Sequence, residues 1–151
     1  PWVICGTRES TAIANITTLL CVTYHKIYAS SAESVRSWAT AGLGEQLANL
    51  EFRVSDVTVL QVIESLRILR SDIDAEVRGE ALVGLAMRQV KGIEADIAKE
   101  LRSERPSYLA VKAATYCKSI ELVEPLLRLK EEGRIDDYLI RAALQANAES
   151  Y

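Results

Sequence analysis

The chain has 151 residues, 49% of them hydrophobic and 26% charged, with 18 basic against 21 acidic side chains for a net charge of −3. A domain of this size buries about 70% of the surface its unfolded form exposes, and the composition is that of a globular core rather than of disorder. The negative balance supplies no global field for phosphates, so nucleic acid is not an expected partner.

Cys5, Cys21 and Cys117 are widely spaced and form no CxxC pair. That excludes a disulfide framework and a thiolate zinc site and fits a reducing, cytoplasmic setting. Every apolar stretch is broken before the ~20 residues a membrane span needs, so no membrane is expected. The chain opens at Pro1 with neither the charged start nor the apolar core of a signal peptide, which reads as a truncated or processed beginning.

Residues 1–11 lie outside any periodic pattern; Trp2, Val3 and Ile4 there are candidates to cap the first hairpin, unless the segment is a remnant. From Ile13 onward, Ile13, Ile16, Leu20, Tyr24 and Ile27 recur at helical spacing, and the same spacing returns along the chain. Helices are predicted at 12–28, 32–44, 56–70, 75–88, 93–102, 107–118, 120–132 and 137–148. They pair into hairpins at 12–44, 56–88, 93–118 and 120–148 of one domain, 12–151. Ser30 with Glu33 makes a capping box, Asp74 and Asp136 are N-caps, and Gly133 closes a helix in the left-handed conformation. Ile135 and Ile140 stand where a hydrophobic staple places its two residues.

Internal repetition is the decisive signal. VRSWATAGLG at 35–44 aligns without gaps on VRGEALVGLA at 77–86, with identities at Val35/Val77, Arg36/Arg78, Ala39/Ala81, Gly42/Gly84 and Leu43/Leu85. A weaker copy at 109–117 places Leu109, Ala113 and Cys117 where Val77, Ala81 and Leu85 stand, and a fourth near 138–147 is weaker still. The shared positions make an apolar stripe with small residues on it. A glycine in mid-helix costs about 1 kcal/mol relative to alanine, so Gly84 marks a close backbone approach.

The run Asp72-Ile73-Asp74-Ala75-Glu76-Val77-Arg78 with Ala81, Gly84 and Leu85, and the Val123-Glu124-Pro125-Leu126 sequence, resemble the repeats of bacterial HEAT-repeat proteins. The resemblance covers about residues 12–148. It implies an all-α fold, a right-handed α-α superhelix or solenoid of about four hairpins. It also implies a ladder between a turn aspartate and a second-helix arginine, roles that fit Asp72, Arg78 and Arg36; a proline that bends a first helix at Pro125; and second helices lining a concave side. Arg36, Ser37, Trp38, Thr40, Glu80, Arg88, Lys112 and Arg141 are then the candidates for partner contact. Trp38, one residue before the stripe position Ala39, stands at the edge of the buried face, where its ring either seals the hairpin, the commoner case, or stands exposed as a binding anchor. Spacing between repeats falls from 42 (Val35 to Val77) to 32 (Val77 to Leu109) and then to about 29, so later hairpins should be short.

No catalytic constellation is visible. His25, the only histidine, has no nucleophile in recognisable context. The DxD of Asp72-Ile73-Asp74, a pattern able to hold a divalent cation, is better explained by capping and the ladder, and the Asn15-Ile16-Thr17 sequon lies inside a predicted helix. No metal or cofactor is expected. The expected function is a non-enzymatic scaffold or adaptor gripping a protein partner, with the oligomeric state open. Two other functions share the architecture, a DNA-binding alkylation-repair glycosylase and a bilin-lyase subunit. The acidic balance disfavours the first, and no chromophore-handling residue points to the second.

Overall fold

The computed structural model describes residues 33–46, 48, 56–133 and 135–148. The predicted first helix, the Ser30–Glu33 capping box, the 1–11 segment, His25, the sequon, Cys5 and Cys21 lie outside the described residues. Within them the chain is all-helical, with no strand. The helices are α1 (Glu33–Ala41), α2 (Asp56–Leu69), α3 (Ala75–Met87), α4 (Ile93–Leu101), α5 (Tyr108–Ala114), α6 (Val123–Glu132) and α7 (Asp137–Ala148). A π-helical turn, Gly42–Gln46, continues α1, and a 3-10 turn, Ile120–Leu122, leads into α6.

Local chemistry places most of these ends. Asp74 caps α3, its Oδ1 accepting from the Val77 N–H at 2.9 Å, and Ser107 caps α5 through Leu109 N–H. Gly133 ends α6 with φ 64°, in the left-handed region that favours glycine. Asp136 accepts from the Tyr138 N–H at 2.7 Å at the start of α7, with Ile140 buried and Ile135 packed against the core. Pro125 stands in the first turn of α6 rather than at a bend in mid-helix; its missing N–H falls among the donors that have no intrahelical partner.

Two helices end sooner than the sequence pattern predicts. α1 gives way at Gly42 to the π turn, whose carbonyls are held from outside: Arg88 donates to Leu43 O (3.0 Å) and Gly44 O (2.8 Å) while also holding Gly84 O of its own helix (2.8 Å). α5 stops at Ala114 because Thr115 turns back on Lys112 O through both its N–H and its hydroxyl, while the Ala114 carbonyl accepts from the Cys117 N–H at 3.2 Å and from the Asn147 amide at 2.8 Å.

α1 packs on α3, α3 on α5 and α5 on α7, while α2, α4 and α6 each pack on the helix that follows. α3 is central, with Val77, Gly79 and every residue from Ala81 to Ala86 buried, as expected of a helix enclosed on all sides. Its glycines set the spacing. A Cβ on Gly84 would lie 2.4 Å from Gly44 Cα, so the π turn meets α3 backbone to backbone, and a Cβ on Gly79 would lie 2.6 Å from Leu109 Cβ on α5.

Consecutive hairpins are also tied by charge. Arg36 makes a bidentate pair with Asp72, Nε to Oδ2 and Nη2 to Oδ1, both at 3.0 Å. Arg78 donates to both Glu100 oxygens (3.3 and 3.2 Å) and to the carbonyls of Asp72 (3.0 Å) and Ile73 (2.9 Å). Arg70 pairs with Asp96, and Arg102 with Glu124 at 3.1 Å. In each pair the cation belongs to the earlier hairpin and the carboxylate to the later one. The twin arginines of the repeated segment thus do the same job, although the acceptor for Arg78 is Glu100 on α4 rather than a turn aspartate.

Candidate protein-binding face

The repeat alignment puts Trp38 of α1, Glu80 of α3 and Lys112 of α5 at one register, three residues after Val35, Val77 and Leu109. α1 packs on α3 and α3 on α5, so this shared register falls on adjoining helices. On α5, Tyr108 stands at i−4 from Lys112 and therefore on its face, and Tyr116, in the turn that follows α5, is close enough to act on the Lys112 charge. Trp38 is 62% exposed, Tyr108 58% and Tyr116 38%.

The exposure of Trp38 decides against the commoner case, a ring that seals the hairpin. Each helical residue advances about 100°, so a side chain one place before the stripe residue Ala39 is carried off the buried face when the neighbouring helix sits squarely on that stripe. Ala39 is fully buried. Two other candidates fall on the buried side: Ser37 is 7% exposed and Thr40 is 0%, its hydroxyl donating to Arg36 O at 2.7 Å. Neither offers a surface to a partner. Arg36 and Arg88 are spent on Asp72 and on the π-turn carbonyls, while Arg141, on α7, is exposed and pairs with Asp137 one turn away at 3.0 Å.

Lys112 donates to Glu45 Oε2 at 2.7 Å. Glu45 sits at the end of the π turn and Lys112 on α5, so the pair spans α3, the helix between them. The hydrogen bond to Glu45 raises the Lys112 pKa and keeps the ammonium charged. Glu80 lies beneath this bridge, half-buried. Burial pushes its carboxyl pKa up; Lys112 opposes the rise, and Glu45 and Glu76 add to it. Neither Glu76 nor Glu80 has a hydrogen bond or ion pair among the described residues. Glu45, Glu76, Tyr108 and Tyr116 escaped the sequence reading, although Tyr108, Lys112 and Tyr116 follow one another at helical spacing in the third copy.

The remaining chemical groups are structural. Asp72 and Asp74 of the DxD hold Arg36, the Asp74 N–H and the Val77 N–H, and no three metal-ligating side chains cluster among the described residues. Burial, with Glu94 nearby, pushes the Cys117 thiol up to about 12, so it is not a nucleophile at neutral pH. Two open depressions lie elsewhere, one between Leu60, Ile63 and Val90 and one along Ile120, Val123 and Leu127. No helix among the described residues is long and apolar enough to cross a membrane.

No family model matches the chain, and neither a curated protein nor a solved structure is significantly similar to it.

One consequence for stability follows at Glu80. Its raised pKa means that the charged form is disfavoured by folding above that pKa, a penalty that fades as the pH falls and the carboxyl protonates in both states. Glu80→Gln is expected to raise Tm at pH 7 by on the order of 1 °C, the effect of a few tenths of a kcal/mol in a chain of this size. The gain should vanish near pH 4. Thermal melts at the two pH values check both the sign and its disappearance.

Proposed function

We propose that this chain is a non-enzymatic interaction scaffold, a short α-α solenoid whose protein partner docks on the face carried by α1, α3 and α5. The observation that carries the reading is Trp38, an exposed indole at the same register as Glu80 and Lys112 and on the face that also carries Tyr108. Tryptophan and tyrosine are the residues most enriched among interface hot spots. In a flat row, the axes of α1 and α5 would stand about 16–20 Å apart, twice the usual helix spacing. The hydrogen bond from Lys112 to Glu45 over α3 supports a row that curves toward this side, which makes the face concave. The face carries Glu45, Glu76 and Glu80 against Lys112, which favours a protein partner over a nucleic acid.

The test is affinity capture from a lysate of the source organism with the wild-type chain, a Trp38→Ala variant and a Leu127→Ala variant on α6. A specific partner should be retained by wild type and Leu127→Ala and reduced about tenfold or more by Trp38→Ala, the size of a hot-spot truncation. Equal recovery on all three, or none on any, would contradict the proposal.

A further inference from the structure

We propose that the partner segment seated on this face is basic, presenting an arginine or lysine to Glu76 and Glu80 with its side chain against Trp38. The proposal deepens the scaffold reading and rests on it.

Charge complementarity selects the occupant. Among the described residues, Asp72 pairs with Arg36, Glu100 with Arg78 and Glu45 with Lys112, whereas Glu76 and Glu80, one turn apart on α3, have no hydrogen bond or ion pair there. Lys112 is near enough to act on Glu80, yet burial and the neighbouring carboxylates outweigh it. Glu76 and Glu80 with Glu45 outnumber Lys112, so a further cation between α1 and α5 would meet a net negative charge, and the partial burial of Glu80 strengthens a charge-assisted hydrogen bond there.

The aromatic residues fit the same ligand. Guanidinium and ammonium groups are drawn to the face of an indole or phenol ring. Trp38 is on α1 and Tyr108 on α5, the helices that flank α3, and Tyr108 shares the Lys112 face of α5, with Tyr116 in the turn just beyond it. An acidic partner would meet the repulsion of Glu76 and Glu80. A purely apolar partner would bury both carboxylates without compensation, at a cost that a basic side chain avoids.

The full chain in a Trp2→Phe background, where Trp38 is the sole tryptophan, makes the test direct. The probes are a fluorescein-labelled Arg-Ala repeat peptide and a Glu-Ala counterpart, used at physiological ionic strength, where charges farther apart than about 8 Å are screened. The Arg-Ala probe should bind and alter Trp38 emission, and the Glu-Ala probe should do neither. Glu76→Gln/Glu80→Gln should weaken binding about tenfold, whereas Glu121→Gln/Glu131→Gln, which changes net charge equally on exposed residues away from the face, should leave it within about twofold. Equal weakening by both double variants would overturn the inference in favour of diffuse net charge, as would binding that leaves Trp38 emission unchanged. The Gln variants should fold, since Glu80 is a group whose charge the fold disfavours. If Trp38→Ala abolishes partner capture while the Arg-Ala probe fails to bind, the scaffold reading stands and the basic-segment inference falls. If capture ignores Trp38, the scaffold reading falls first.

Discussion

Gly84→Ala is expected to destabilise the protein by about 2–3 kcal/mol and to lower Tm by roughly 5–10 °C, although alanine is the better helix former by about 1 kcal/mol. The added Cβ would lie 2.4 Å from Gly44 Cα and 2.9 Å from Leu66 Cδ1. The leucine methyl can swing aside, but the Gly44 backbone cannot. Moving the π turn away from α3 would pull Leu43 O and Gly44 O from Arg88 and disturb the Arg36–Asp72 pair behind it. Urea melts check the size, with an unchanged m-value showing that stability and not compactness has altered. Gly44→Ala should cost less, because its nearest contacts, Glu80 O at 3.1 Å and Gly84 Cα at 3.2 Å, ask for a smaller shift.

Asn147→Leu is expected to cost about 2 kcal/mol. Asn147 is fully buried, and its amide joins three backbone groups: Oδ1 accepts from the Ser119 N–H at 2.8 Å, and Nδ2 donates to Ala114 O at 2.8 Å and Ala143 O at 2.7 Å. Leucine matches the size but leaves the Ser119 N–H without its partner at the junction between α5 and α7, and leaves the Ala114 carbonyl only its bond from the Cys117 N–H. Orphaned buried polar groups cost about 1–3 kcal/mol each. Urea denaturation of N147L checks this; a loss under about 0.5 kcal/mol would mean that water replaces the amide without penalty.

Asn147 also explains why the fourth copy of the repeat is faint. It stands eight residues after Leu139, as Cys117 does after Leu109 and Leu85 after Val77, so a polar side chain occupies a stripe position. The sequence displays only a mismatch there, because its compensation depends on carbonyls about thirty residues away. The same distance problem hid the early end of α5 and the Arg78–Glu100 pair. By contrast, the helix starts at Asp74 and Asp136, the left-handed Gly133 and the tight approach at Gly84 were readable, since each depends on local propensity or on a residue type that only one packing situation favours. Trp38 shows the limit of that reading: a position one place off a buried stripe lies at the core edge or in solvent depending on where the next helix sits. Sequence spacing put these candidates at related positions of the repeat, and the structure separates the buried ones, Ser37 and Thr40, from the exposed Trp38.

The central claim is that successive copies of one helical hairpin stack on each other, and the Arg36–Asp72 pair joins two copies directly. A double-mutant cycle with Arg36→Met, Asp72→Asn and the combined variant measures that junction. Burial raises the Asp72 pKa, but the hydrogen bonds from Arg36 and the Asp74 N–H more than reverse the effect, so the carboxylate stays charged below its ordinary pKa of about 3.9. The expected coupling is about 1–2 kcal/mol, constant from pH 7 to about pH 5 and lost only as the pH falls through the depressed pKa of Asp72. A coupling within error of zero at neutral pH would mean that the two segments do not meet, and the stacked arrangement would be contradicted at its first joint.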